Sequence, residues 1–299
     1  MPKSHLLTAT ESFSRLDKFL AERLPSLTRS YVKNLIDGGK VLVNEREAKP
    51  SQKLKAGDMV QVTEPDAAPI DVKPQKMPLD IVYEDAHLIV INKPAGLTVH
   101  PGPGHPDSTL VNAILAHCPD LGAINGDIRP GIVHRLDKDT SGIIVVAKNQ
   151  RAQQSLSQQF KERSIEKRYV ALAAGRIKRD DGTITTALGR DPRNRKKISV
   201  LVGGRPSITA YKALQRFKEA TLVEVTPKTG RTHQIRAHMA SIGHPLVGDG
   251  LYGGGTKVLQ RQFLHAAKLT FTHPATGQRM TFEAKLPEDL DHVLAQQAE

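Results

Sequence analysis

Apolar residues recur along this chain with two different periods, and the change of period marks out its parts. Leu16, Phe19, Leu20 and Leu24 fall at i, i+3, i+4 and i+8, one stripe of an amphipathic helix. Pro25 brings no backbone N–H and stops that helix. Thr28 is the predicted N-cap of a second helix, with Val32, Leu35 and Ile36 on its buried face and Gly38-Gly39 at its end. Short strands follow at 41–43 and 59–62, with a turn at Asn44-Glu-Arg46 between them. Residues 1–13 carry no period and are expected to form a loose tail.

Residues 64–76 are spaced by prolines and lack an apolar period, the pattern of a linker. Strand patterns resume at 79–83 and 87–92, and 109–116 reads as a helix. Ile143-Ile-Val-Val146 is an unbroken β-branched run, the mark of a buried strand. Residues 151–163 form a polar helix rich in Gln and Ser, and 167–172 a strand. A basic insertion at 190–197 is expected to be a flexible loop, with a nucleic-acid contact favoured over simple solubility. Further strands are predicted at 222–225, 264–271 and 280–282, with a helix from about Thr232 to Gly243 and a turn at 248–253. Periodicity thus gives alternating strands and helices in the second part, and two helices with a small sheet in the first.

Charge narrows the class of partner. The chain has 299 residues, a net charge of +12 and a pI near 9.7, which implies an anionic partner, nucleic acid before a membrane surface. No basic helix flanked by aromatics is present, and no apolar run reaches the ~20 residues of a membrane helix. Trp is absent and aromatics make up 4%, which disfavours an aromatic platform for sugars. Cys118 is the single cysteine, so an internal disulfide and a cysteine-based zinc site are excluded. The first residues lack the apolar core of a signal peptide, and a soluble, cytoplasmic protein is expected.

The chemistry gathers before the run at 143–146. His134, Arg135, Asp137, Lys138 and Asp139 crowd the mouth of a core strand, where charge is costly unless paired or used. Gly142 marks the sharp entry into that strand, a place for φ > 0. On these residues alone a salt-bridged polar turn explains the stretch equally well. A Pro/Gly loop at 101–104 fails as a dinucleotide fingerprint, since prolines interrupt it and the third glycine is missing. His233 and His238 are five apart, not the four that places two ligands on one helical face, so no metal is expected.

The ungapped string His134-Arg-Leu-Asp-Lys-Asp-Thr-Ser-Gly142 resembles the signature of the RluA/RluD-type pseudouridine synthases, which isomerise uridine to pseudouridine in RNA. The segments at 87–96 and 99–105 resemble the start of the same catalytic domain. Arg15-Leu-Asp17, Ser30-Tyr-Val-Lys-Asn-Leu-Ile36 and Gly39-Lys-Val-Leu-Val-Asn44 resemble an S4 RNA-binding domain. The Pro/Gly loop and this module together look most like the member acting on large-subunit ribosomal RNA. The resemblance implies an α+β fold, its catalytic domain built on a mixed, largely antiparallel sheet with a central cleft. The expected layout is a tail at 1–13, an S4 domain at 14–63, a linker at 64–76 and a catalytic domain at 77–299.

The resemblance also assigns roles. Asp137 is the implied nucleophile and Arg231, in Gly230-Arg-Thr-His-Gln-Ile-Arg236, its electrostatic partner. Tyr169 is implied to stack on the flipped uracil and to accept or relay the C5 proton. Arg135 enters the RNA where the base leaves, Ile235 packs beneath the base, and His134 joins substrate binding. Arg15, Lys18, Arg29 and Lys33 are the expected RNA contacts of the S4 helices. The product keeps every atom of the substrate, so no cofactor is expected. The partner is RNA, in free or pre-ribosomal form, and the protein is expected to be a monomer. Three routes stay open: attack of Asp137 on C1′, its addition to C6, or assistance to a glycal. Asp139 leaves a two-carboxylate glycosidase as a competing enzyme, and a non-catalytic S4 protein is the alternative of another class.

Overall fold

The computed structural model describes residues 3–24, 27, 29–64, 72–102, 104–123 and 131–297, without the side chains of 3, 29, 30, 122 and 123. The expected helix stop at Pro25, the N-cap at Thr28, the side chain of Arg29 and much of the 64–76 linker lie outside these residues. The chain divides into two compact units, Met1–Pro69 and Ile70–Glu299.

In the first unit, β1 (Lys3–Thr8), α1 (Leu16–Arg23), α2 (Arg29–Asp37), β2 (Val41–Val43), β3 (Arg46–Glu47) and β4 (Met59–Glu64) make two helices on a sheet of order β1-β4-β2-β3. The α1 stripe Leu16, Phe19, Leu20 is fully buried and meets Val32, Leu35 and Ile36 of α2 over Val41, Val43, Val60 and Val62. Asn44 and Glu45 both take positive φ, 49° and 64°, the twist of a two-residue hairpin turn. The expected loose tail is instead strand β1, antiparallel to β4 from Lys3↔Glu64 to Thr8↔Met59. It escapes a periodicity reading because it is an edge strand whose Leu6 faces solvent.

The second unit is organised by one sheet of ten described strands. They are β5 (Ile81–Glu84), β6 (Leu88–Lys93), β7 (Ser141–Ala147), β8 (Glu166–Ala174), β9 (Asp181–Arg190), β10 (Ile198–Val200), β11 (Arg205–Arg216), β12 (Ala220–Pro227), β13 (Leu264–Thr272) and β14 (Arg279–Glu283). The order is β10-β9-β11-β12-β8-β13-β7-β6-β5, with β14 on β13. Every pairing among these strands is antiparallel except β7 with β13, which run parallel through His265↔Ser141 and Ala266↔Gly142. The sheet is therefore mixed and largely antiparallel.

Helices cover both faces at the centre, which is why β6 and β7 read as continuous apolar runs. Ile89, Ile91, Ile144 and Val146 pack with Leu110, Val111 and Ile114 of α3 (Leu110–His117). Leu88, Val90, Ile143 and Val145 pack with Ala152 and Leu156 of α4 (Gln150–Glu162). Ile235 and Met239 of α5 (Gln234–Ser241) sit on β8 and β12 through Ala171, Ala173, Val223 and Val225. The final helix α6 (Glu288–Gln296), which the strand patterns do not anticipate, buries Leu290 and Val293 beside Phe217 and Phe263.

Candidate active site

The segment 131–140 leads into β7 and is fastened at several points. Gly142 has φ +113°, and a Cβ there would run into the backbone of Ala266 on the parallel partner β13. Only glycine admits that approach. His134 accepts a hydrogen bond at Nε2 from the Val145 N–H (3.0 Å) and stacks on Phe160 at 4.6 Å. Burial, aided by the charge of Lys167, pulls its pKa down to about 3, so the imidazole is neutral and carries its proton on Nδ1. His134 lines the cleft, but its ring nitrogen is committed to the backbone: it positions the loop. Lys93, fully buried at the end of β6, donates to the carbonyls of Pro94 (2.7 Å), Leu97 (2.8 Å) and Lys138 (3.0 Å). Burial lowers its pKa to about 7, while Asp139 and Asp137 hold it up.

Asp137 faces a cleft of about 1,170 Å³ whose wall includes Arg135, Tyr169, Arg231, His233, Ile235 and Arg236. The cation paired with Asp137 is Arg236, not the expected Arg231. Arg236 Nη1 reaches Asp137 Oδ2 at 3.4 Å, while its Nε and Nη2 grip Asp249 at 2.6 and 2.9 Å. Arg231 stays exposed on the wall and has no ion-pair partner among the described residues. Local geometry explains the exchange. Gln234 is buried and accepts from the Arg231 N–H (3.0 Å) and the Thr229 hydroxyl (2.6 Å), and donates to Ile208 O and Thr209 Oγ1. His233 turns the chain through a left-handed residue, φ 49°, and α5 starts with Arg236 inward.

Tyr252 completes the cluster. The Arg236 guanidinium lies 5.0 Å from its ring centroid, and its hydroxyl lies 3.1 Å from His233 Nδ1. His233 Nε2 is 4.0 Å from Asp137 Oδ2. Burial lowers the His233 pKa, against the pull of Asp137, and raises that of Tyr252 to about 12. Tyr169 is packed between the cores under α3 and α5. Burial, and then the charge of Asp137, raise its phenol pKa, so it is protonated at rest. Asp139 takes no place on the cleft wall; its carbonyl accepts from Arg261, which Asp289 holds by two bonds. A second catalytic carboxylate from that position is therefore not in place.

Asp249, Tyr252, Lys93 and Gln234 were missed by motif reasoning. Asp249 stood in the Gly248-Asp-Gly250 turn, where its type alone signalled only a turn. In the first unit, Lys18 and Lys33 are exposed, whereas Arg15 is held by Asp17 at 2.8 and 3.2 Å.

The fold and site define a cleft enzyme that presents a carboxylate to a buried, already anchored arginine. The RNA pseudouridylate synthase family model matches residues 87–241, and an S4 domain matches residues 14–60. The chain is 46% identical to an uncharacterized RNA pseudouridine synthase of Bacillus subtilis (strain 168), covering 96% of each chain. It is also 46% identical to ribosomal large subunit pseudouridine synthase D of Neisseria meningitidis serogroup A, over 94% of this chain and 78% of that one. A solved structure, human RNA pseudouridylate synthase domain containing 1, superposes with a TM-score of 0.58 at 27% identity, covering 76% of this chain and 98% of the other. The chain belongs to the RNA pseudouridylate synthase family and is an RNA pseudouridine synthase, an isomerase, with an S4 domain ahead of its catalytic sheet. No helix among the described residues is long and apolar enough to cross a membrane.

Proposed function

We propose that this enzyme isomerises uridine in large-subunit ribosomal RNA, in the cytoplasm, with Asp137 as its nucleophile. The observation that carries the assignment is the lopsided sharing of Arg236. Asp249 takes the short, two-pronged side of the guanidinium and neutralises it; Asp137 takes one long bond at 3.4 Å. Asp137 is thereby oriented, yet keeps a net negative charge in the cleft, as a nucleophile must. Arg135, exposed two residues before it, is placed to fill the gap left by an extruded base. Ile235 and Tyr169 offer an apolar floor and an aromatic face for the uracil.

Tyr169, protonated and beside a carboxylate, acts as a relay rather than a standing base. Once the new C–C bond has formed and Asp137 has left C1′ as a carboxylate, Tyr169 takes the C5 proton as its own passes to Asp137, and that proton then moves on to N1 of the uracil, so the product is neutral and Asp137 is again ionised. The large-subunit substrate is supported by the relative whose name specifies it and by the basic charge of the chain. The test is Asp137→Asn, assayed on a large-subunit ribosomal RNA transcript by tritium release from 5-labelled uridine. RNA binding should persist while turnover falls below ~1% of wild type, since loss of a covalent catalyst costs orders of magnitude. Turnover above that level would remove Asp137 from the role. Mapping pseudouridines in ribosomal RNA from cells lacking the protein tests the substrate.

A further inference from the structure

The basic insertion at 190–197 folds as a hydrogen-bonded turn. Asp191 Oδ1 accepts from the N–H groups of Arg193 (2.8 Å) and Asn194 (3.1 Å), and Asn194 Oδ1 from that of Lys196 (3.1 Å). The turn joins β9 to β10 and holds five cations against one carboxylate: Arg190, Arg193, Arg195, Lys196 and Lys197 face only Asp191. Arg193, Arg195 and Lys196 are exposed.

Its far end is seated on the catalytic cluster. The Ile198 N–H donates to the Tyr252 hydroxyl at 2.9 Å, and Lys197 Nζ lies 5.2 Å from the centroid of the same ring. That hydroxyl accepts from Ile198 and lies within hydrogen-bond reach of His233 Nδ1, and a proton donated from it to Nδ1 would leave the His233 proton on Nε2, on the side of Asp137. The ring also carries Arg236. Tyr252 therefore touches the basic turn on one side and His233 and Arg236, the two neighbours of Asp137, on the other.

We propose that the β9–β10 turn is a phosphate-binding arm for RNA, and that Tyr252 is a positioning residue coupling its occupancy to the placement of His233 and Arg236 against Asp137. A strand docked on the arm fixes Ile198, hence the Tyr252 hydroxyl, hence the tautomer and angle of His233. The coupling rests on the isomerase reading above; the arm does not.

The experiment combines two variants, Arg193→Ala/Arg195→Ala/Lys196→Ala and Tyr252→Phe, singly and together, on a large-subunit ribosomal RNA transcript. Three readouts are taken: affinity against salt, single-turnover rate at saturating RNA, and ¹⁵N signals of the His233 ring with and without RNA. The triple variant should weaken binding and flatten the salt slope by roughly 2 to 3, at 0.7–0.9 per phosphate contact. Each variant should slow the single turnover about tenfold, and the combination also about tenfold rather than about a hundredfold, the non-additivity of one pathway. RNA should shift the His233 signals in the wild type and not in either variant. An unchanged salt slope overturns the arm. Multiplying rate losses, or His233 signals that respond to RNA equally in all proteins, overturn the coupling. A wild type that binds RNA but makes no pseudouridine in it fails the substrate reading instead, and the binding and ¹⁵N readouts still decide the arm and the relay.

Discussion

Arg236 serves two carboxylates with one guanidinium, and the unequal bonds decide what each partner does. Asp249, bonded twice at under 3 Å, makes the cation part of the scaffold; Asp137, bonded once at 3.4 Å, is held less tightly, which suits the nucleophile proposed for it. Arg236→Lys keeps the charge but cannot fork. Single-turnover rates should fall about 10²–10³-fold with RNA affinity little changed, the pattern of a transition-state electrostatic contact. Arg231→Ala should do the reverse, weakening RNA binding with the rate at saturating RNA nearly intact. The motif holds both arginines, and spacing cannot tell which one turns inward; that is set by the left-handed His233 and the bonds of Gln234, both tertiary facts. Two buried histidines add a pH signature. His134 and His238 have folded pKa values near 3 and 4, below the usual 6.5, so the unfolded chain binds more protons between those limits. Stability is then full above about pH 6.5 and falls as pH drops through 6 toward 4, by at most about 1.4 kcal/mol per pH unit per group. Urea unfolding at pH 7.5 and 5.0 checks the sign. His238→Gln, at a fully buried position bonded to Thr209 and Thr186, should shrink the difference.

Among the elements, β7 is the one on which the site depends, and it was also the most legible. Its seven residues are all buried, and Ile143 to Val146 pack alternately on α4 and α3, so nothing polar interrupts that run. The loop before it was legible only as a crowd of charges. Its fastening by a neutral histidine and by the three carbonyls on Lys93 involves groups that are unremarkable in sequence. β1 and α6 were illegible or overlooked for different reasons, one an edge strand with an outward leucine, the other a short helix burying only Leu290 and Val293. The positive φ expected of Gly142 is present, because the requirement there is local. Gly142→Ala should cost about 3 kcal/mol or more, since both the backbone angle and the approach of Ala266 forbid a Cβ. The expected denaturation curve is shifted to lower midpoint with the slope retained. A variant as stable as wild type would show that β7 and β13 can separate without loss.

At the scale of the whole molecule, each unit has its own core, and the proposed chemical residues all belong to the second. A protein beginning near residue 70 should fold, bind ribosomal RNA more weakly and lose salt slope by roughly 0.7–0.9 for each phosphate contact made by cations such as Lys18 and Lys33. Its single-turnover rate at saturating RNA should survive; a collapse in a well-folded truncation would tie the first unit to catalysis. The family and the two-unit plan were readable from motifs, because those motifs are contiguous in the chain. The cluster of Arg236, Asp249 and Tyr252 was not, because it joins helix α5 to a later turn whose residues signal only a turn. The parallel seam between β7 and β13 also has a bearing on how the protein is made. Ser141 must wait for His265, 124 residues later, before its strand gains a neighbour on that side. Until β13 is synthesised, β7 and β8 have no strand between them, and the loop bearing Asp137 has no Ala266 to close upon. A growing chain would therefore carry Asp137 long before the loop that bears it can close, since that distant contact forms only after β13 has been made.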